Sequence, residues 1–163
     1  MENEFKKLKY RIRILIVLFI IGLVLSGITA FPVETQLSVI MKHMGLLPDV
    51  IQVWLLKVYS GVKTTNLNFP FLSYGTDWLA FAHIVIAIAF LGPLKDPVKN
   101  SWIIQFGIIA CMLVIPLALI AGPIRGIPFY WQLIDCSFGV VGLVPLFLCY
   151  KYIKKLEKYT KSH

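Results

Sequence analysis

Six side chains in an otherwise greasy sequence have the functional groups to bind or to react: Asp77, His83, Arg125, Tyr130, Trp131 and Asp135. Arg125 and Asp135 stand in AGPIRGIPFYWQLIDC, residues 121–136, between two long apolar runs. A carboxylate inside a membrane helix costs about 2.5–3.5 kcal/mol on the insertion scale. Asp135 is short and cannot reach water by extending, so it needs a partner. Arg125 is the nearest cation in the sequence, and its planar fork suits a carboxylate or a phosphate. The expectation is an Arg125–Asp135 ion pair, or an anion shared between them, closed by a stiff turn through Pro123, Gly126 and Pro128. Tyr130 and Trp131 would flank that site.

His83 stands in AFAHIVIAIAF, residues 80–90. A lone histidine in a membrane helix can hydrogen-bond across helices, act as a general base, or hold a haem iron. Haem needs a second axial ligand, and neither His43, on a polar helix face, nor Met112, at mid-span, is well placed; no cofactor is expected. His163 lies in the C-terminal tail. Asp77, after Thr76, reads as a helix N-cap beside the positive end of the dipole. Cys111, Cys136 and Cys149 lack metal-site spacing, and no metal is expected. There is no G-x-S-x-G, H-E-x-x-H or P-loop. Nor does a ladder of carboxylates run through the chain as a proton channel would need.

What must position these residues is set by composition. The chain has 163 residues, 58% of them hydrophobic, against about 45–50% in soluble domains. A domain this small has too much surface to hide the excess, so lipid is its solvent. Four apolar runs, 14–31, 78–94, 102–122 and 131–150, are each long enough to cross most of a ~30 Å hydrocarbon core. Trp78, Trp102, Trp131 and Tyr150 mark their ends, where aromatic rings prefer the interface.

The net charge of +8 is uneven: five Lys/Arg lie in residues 6–13 and five in 151–161. Basic ends stay in the cytoplasm, so both termini are expected inside, as four spans require. Without an aromatic platform or a basic face, nucleic acid is not an expected partner. The expected fold is all-α: a single polytopic membrane domain, 1–163, built as a four-helix bundle with basic tails 1–13 and 151–163. A long outer connection, 32–77, carries amphipathic helices. In 34–44, Leu37, Ile40, Met41 and Met44 share one face and Glu34, Thr35, Ser38 and Lys42 the other. A second segment, 49–62, is brought to an end by Gly61, Asn66, Asn68 and Pro70. This connection should form a lid over the outer ends of the spans. A signal peptide cleaved after Ala30 is the alternative for the first run, disfavoured by the length of the run and by Ile28 where a small residue is needed.

Small residues at Gly22, Ser26 and Ala30, at Gly107, Cys111, Ala118 and Gly122, and at Gly139 and Gly142 allow helix backbones to approach. Pro116 and Pro145 should kink their helices. Asn100 and Ser101 should cap the third span.

The runs YGTDWLAFAHIVIAIAFLGPLKDPVKN (74–100) and LIAGPIRGIPFYWQLIDCSFG (119–139) resemble those of small bacterial membrane proteins to which no activity is attached. The resemblance implies a bacterial inner-membrane location and carries over no functional residue.

The expected function is non-catalytic. Asp77, His83, Arg125, Tyr130, Trp131 and Asp135 would form an outer-leaflet pocket for a lipid headgroup or small amphiphile, or for a partner membrane protein or second copy. The alternative is an enzyme acting on a lipid-linked substrate. There His83 is the base, Asp77 or Asp135 orients it, and Arg125 holds phosphate. Such a base must reach its partner at about 2.6–3.2 Å. A haem electron carrier is the third reading.

Overall fold

The computed structural model describes residues 2–161, with side chains from 4 to 159; His163 lies outside them. Among the described residues every regular element is helical: α1 (Glu2–Ala30), α2 (Val33–Met41), a 3-10 turn (Met44–Leu46), α3 (Asp49–Asn68), α4 (Pro70–Ala89), α5 (Leu91–Lys95), α6 (Ser101–Ile124) and α7 (Phe129–Lys161). Four stretches are long and apolar enough to cross a membrane: Glu4–Ala30, Pro70–Lys95, Ser101–Ile124 and Phe129–Tyr159. Of an 18-residue apolar window in each, only 17–22% is buried within the protein. On α6, Leu113, Leu117, Ile120 and Ile124 form one stripe, 60–75% exposed. In water such a face would carry a cost of about 25 cal/mol for every Å² left uncovered, whereas lipid covers it.

Helices α2, α3 and α4 differ in extent from the sequence expectation. The second span starts at Pro70, because proline suits the first turn of a helix, where its missing N–H is not needed. Asp77 therefore lies in the body of α4 and caps nothing. Likewise α3 runs through Gly61 to Asn68, where Asn68 bonds back to the Thr64 carbonyl (2.9 Å). Met44 has left α2 for the 3-10 turn.

The chain forms two compact units: residues up to Gly22 with those from Ala87 onward, and residues Leu23–Ile86. In the first, α6 and α7 pack antiparallel along a seam of small residues. A Cβ on Gly139 would lie 2.6 Å from the Cys111 carbonyl oxygen, and one on Gly142 2.8 Å from Cys111 Sγ. Gly107 seats the Phe90 ring and Leu146, each 2.8 Å from where its Cβ would stand. Phe90 is fully buried, with the Phe19 ring 4.7 Å away. The seam on α7 continues through Cys149, Ile153 and Leu156, all 0–2% exposed. Both helices run through Pro116 and Pro145 without ending.

At the start of α6 the expected side-chain cap is absent. Asn100 turns back instead, donating to the carbonyls of Asp96 (2.9 Å) and Gly92 (3.2 Å) and tying down α5. Asp96 takes the neighbouring role and accepts the Lys99 backbone N–H (3.1 Å).

In the second unit α2 packs on α3, with Leu37 and Leu55 both 7% exposed. The close approach of α1 to α4 is made at Gly27. Its Cβ would lie 2.9 Å from the Ala80 carbonyl oxygen and 3.0 Å from Ile84. The expected stripe at Gly22, Ser26 and Ala30 is not the contact: Gly22 is exposed with open space around it.

Candidate functional site

Three helix ends of the second unit build one polar constellation. α1 stops at Ala30, and Gln36 fastens the corner into α2 by donating to the Thr29 carbonyl (2.7 Å). That places Glu34 in the first turn of α2, where a carboxylate gains from the helix dipole. Asn66, near the end of α3, donates to Glu34 Oε2 (2.5 Å). Ser73, one turn into α4, donates its hydroxyl to Asn66 Oδ1. Asn66 thus uses both ends of its amide and links α2, α3 and α4. Hydrogen bonds to a charged group contribute about 1.5–3 kcal/mol, and leaving such a buried group unmet costs at least as much.

The network borders a cavity of about 500 Å³. Its polar lining is Glu34, Asp77, Asn66, Ser73 and the threonines Thr35, Thr65 and Thr76; Phe31, Val33, Val62 and Leu72 supply apolar walls. Two carboxylates face one hollow and the lining holds no lysine, arginine or histidine. Glu34 is engaged by Asn66. The Asp77 carboxylate, half-buried, makes no hydrogen bond or ion pair among the described residues. Such a wall accepts hydrogen bonds and attracts positive charge.

Asp77 alone of the expected site residues lines this cavity. His83, two turns further along α4, is half-buried beside Gly27. Its Nδ1 lies 2.7 Å from the Leu79 carbonyl oxygen. A carbonyl only accepts, so Nδ1 carries a proton and donates it there. The hydrogen bond that orients the ring is therefore to a backbone carbonyl of its own helix.

Arg125, Tyr130, Trp131 and Asp135 belong to the other unit. The turn there is tight for a reason of backbone geometry. Gly126 has φ +67°, the Gly126 N–H bonds to the Pro123 carbonyl (3.1 Å), and the Ile127 N–H bonds to that of Gly122 (2.9 Å). This pair of hydrogen bonds is the Schellman ending of α6, and it needs a left-handed residue, which glycine supplies without strain. Arg125 sits exposed at the C-cap, where a cation offsets the negative end of the dipole. Tyr130 and Trp131 lie in the first turn of α7 and Asp135 in its second. No ion pair joins Arg125 to Asp135 among the described residues, so of the expected pair or shared anion the direct pair is not formed. Arg125 thus has an explanation at its own helix end.

The buried polar residue of this turn is instead Gln132, 4% exposed. It donates to the Ile127 carbonyl (2.8 Å) and lies on Gly122, whose Cβ would be 2.6 Å from Gln132 Cδ. Arg125→Ala should accordingly change stability by less than about 0.5 kcal/mol. Thermal unfolding of the detergent-solubilised protein measures this; a loss above about 1.5 kcal/mol would restore an ion-pair role.

Neither Glu34, Asn66 nor Ser73 was expected in a site. Pro70 was the available signal: taken as the first residue of a helix it carries Ser73 and Asp77 onto one element. Among the described residues no three His, Cys, Asp or Glu side chains gather as a metal site would require. No known family model, no curated protein and no solved structure matches this chain.

Proposed function

We propose that this is a non-catalytic membrane protein. It binds an amphiphile whose headgroup carries an amine and hydroxyls, in the cavity between Glu34 and Asp77. The observation that supports it is the lining itself: two carboxylates, four hydroxyls and an amide round one hollow, with apolar walls on the remaining sides. An ammonium group satisfies acceptors of this kind, and Phe31, Val62 and Leu72 suit the first carbons of a chain. Phosphate, which Arg125 was expected to hold, is repelled by such a lining. The enzymatic reading has less support, since His83 bonds to the Leu79 carbonyl and does not line the cavity that holds Glu34 and Asp77.

The proposed setting is the outer leaflet of a bacterial inner membrane, with amphipathic α2 and α3 as the cover of the site and both termini in the cytoplasm. The support is the charge distribution: five Lys/Arg in each terminal cluster against three in residues 32–77. Reporter fusions at Glu157 and Lys95 should read cytoplasmic and one at Asn66 exterior. An exterior Glu157 would reverse the topology.

Binding is tested by native mass spectrometry in a mixture of phosphatidylethanolamine and its N-acetylated form. The wild type should favour the free amine, and Glu34→Gln with Asp77→Asn should lower that preference about tenfold. Gln at position 34 keeps an oxygen for the Asn66 donor, so the network survives while the charge leaves. Equal binding of both lipids by the wild type would end this reading.

A further inference from the structure

The N-terminal half of α1 carries two unlike faces. Leu8, Ile12 and Ile16, four residues apart, are 4%, 1% and 0% exposed. Lys6, Lys9, Tyr10 and Arg13 share another face, at the spacing of one helical side. These four line a cavity of about 710 Å³, and Lys95 and Lys99 line it from the end of α5 and the turn beyond. Phe5, Leu94 and Leu156 add apolar wall. All of it lies within the first unit.

Among the described residues, five cations thus surround one hollow against a single carboxylate, Asp96. That carboxylate is already engaged: Oδ1 accepts the Lys99 N–H, and Oδ2 lies 3.9 Å from Lys99 Nζ. Lys9, Arg13 and Lys95 form no ion pair among the described residues. The grouping is not a plain consequence of a basic tail. Arg11, on a different side of α1, stacks over the Tyr152 ring at 5.8 Å and lines no part of the cavity. Like charges held round a hollow repel one another, and a bound anion reverses the sign of that energy.

We infer that this cavity binds a phosphate-bearing anion, with Lys9, Arg13 and Lys95 on its oxygens. Arginine's fork takes two phosphate oxygens, the lysines act as point charges, and the Tyr10 hydroxyl adds a donor. Basic hollows between membrane helices, part apolar and part cationic, suit a phosphodiester headgroup with its glycerol. A soluble phosphate offers the same oxygens. The inference concerns a different cavity from the acidic one, with opposite charge preference, and it needs no assignment of membrane side.

The test uses the full chain in detergent, given equal phosphatidylglycerol and phosphatidylcholine and read by native mass spectrometry. The wild type should prefer phosphatidylglycerol about tenfold. Lys9→Gln with Arg13→Gln and Lys95→Gln should abolish the preference. A control of equal charge loss outside the cavity, Lys7→Gln with Lys151→Gln and Lys155→Gln, should keep it. If the triple variant fails to fold, Arg13→Gln alone should lower the preference about threefold and Lys9→Arg with Lys95→Arg should retain it. Millimolar inorganic phosphate separates the sources: displacement of the lipid assigns a soluble anion, and persistence assigns the headgroup. A wild type that neither prefers phosphatidylglycerol nor binds inorganic phosphate overturns the inference, as does an equal loss in the cavity variant and its control.

Discussion

Gly139→Ala is expected to destabilise the protein by about 1–3 kcal/mol, and Gly139→Val by more. Two effects of opposite sign compete at this position. Alanine is the better helix former, by about 1 kcal/mol in a helix interior. Against that, the new Cβ would stand 2.6 Å from the Cys111 carbonyl oxygen, with Val114 Cβ at 3.4 Å. The obstacle is backbone, so no side-chain rotation relieves it, and α6 must move as a body. Moving it would also disturb Gly142 on Cys111 Sγ and Gly107 beneath Phe90, because the same two helices carry all three. In lipid no hydrophobic force draws helices together, so close packing of this kind holds the pair. Thermal unfolding in detergent reads the loss. Gly22→Ala is the control: open space surrounds Gly22, and the propensity gain should stand alone, leaving stability unchanged or raised by up to about 1 kcal/mol. A neutral Gly139→Ala would mean that the α6–α7 seam yields easily.

What the sequence revealed and what it concealed divide along physical lines. Helical spans long enough for a membrane were legible because apolar length is a sum over many residues, which a few polar exceptions do not disturb. The seam at Gly107, Gly122, Gly139 and Gly142 was legible too, since only small residues allow that approach. In α1 the same rule pointed to the wrong face. Gly22, Ser26 and Ala30 have the better spacing, yet Gly27 is the residue against α4. Spacing says which residues can be approached and not which neighbour comes. The polar site was largely hidden for a related reason. Arg125 and Asp135 attracted attention as charges in an apolar stretch. Arg125 is explained by its own helix end and makes no direct ion pair with Asp135 among the described residues. Glu34, Asn66 and Ser73 are ordinary polar residues in a connection read as a lid over the spans. They become a constellation only when Pro70 starts α4 early and brings Ser73 under the end of α3. That is a tertiary fact, and local pattern carries only its first step.

Gly27→Val should reduce both stability and binding of the amine-bearing amphiphile, and the two readouts test different links. Valine at this position puts its branched carbons against the Ala80 carbonyl oxygen, which even a bare Cβ would approach to 2.9 Å, and against Ile84 and His83, at 3.0 and 3.3 Å. The Ile84 side chain can turn aside; the carbonyl cannot. The expected cost is about 2–3 kcal/mol, at the upper end of the range for overpacking. The consequence for the cavity follows from helical spacing. Phe31 lies one turn beyond Gly27, Asp77 lies one turn before Ala80, and both line the hollow. Pushing α1 from α4 at Gly27 therefore parts Phe31 from Asp77 and widens the mouth. Affinity should fall by about tenfold in the protein that remains folded, since a headgroup in a wider hollow meets fewer acceptors at hydrogen-bond distance. Gly75→Ala, on α4 with nothing near its Cβ, should leave both readouts intact. Loss of stability with unchanged binding would show that the α1–α4 spacing does not shape the cavity. Unchanged stability would show that the two helices part freely there, and the close approach at Gly27 would lose its structural role.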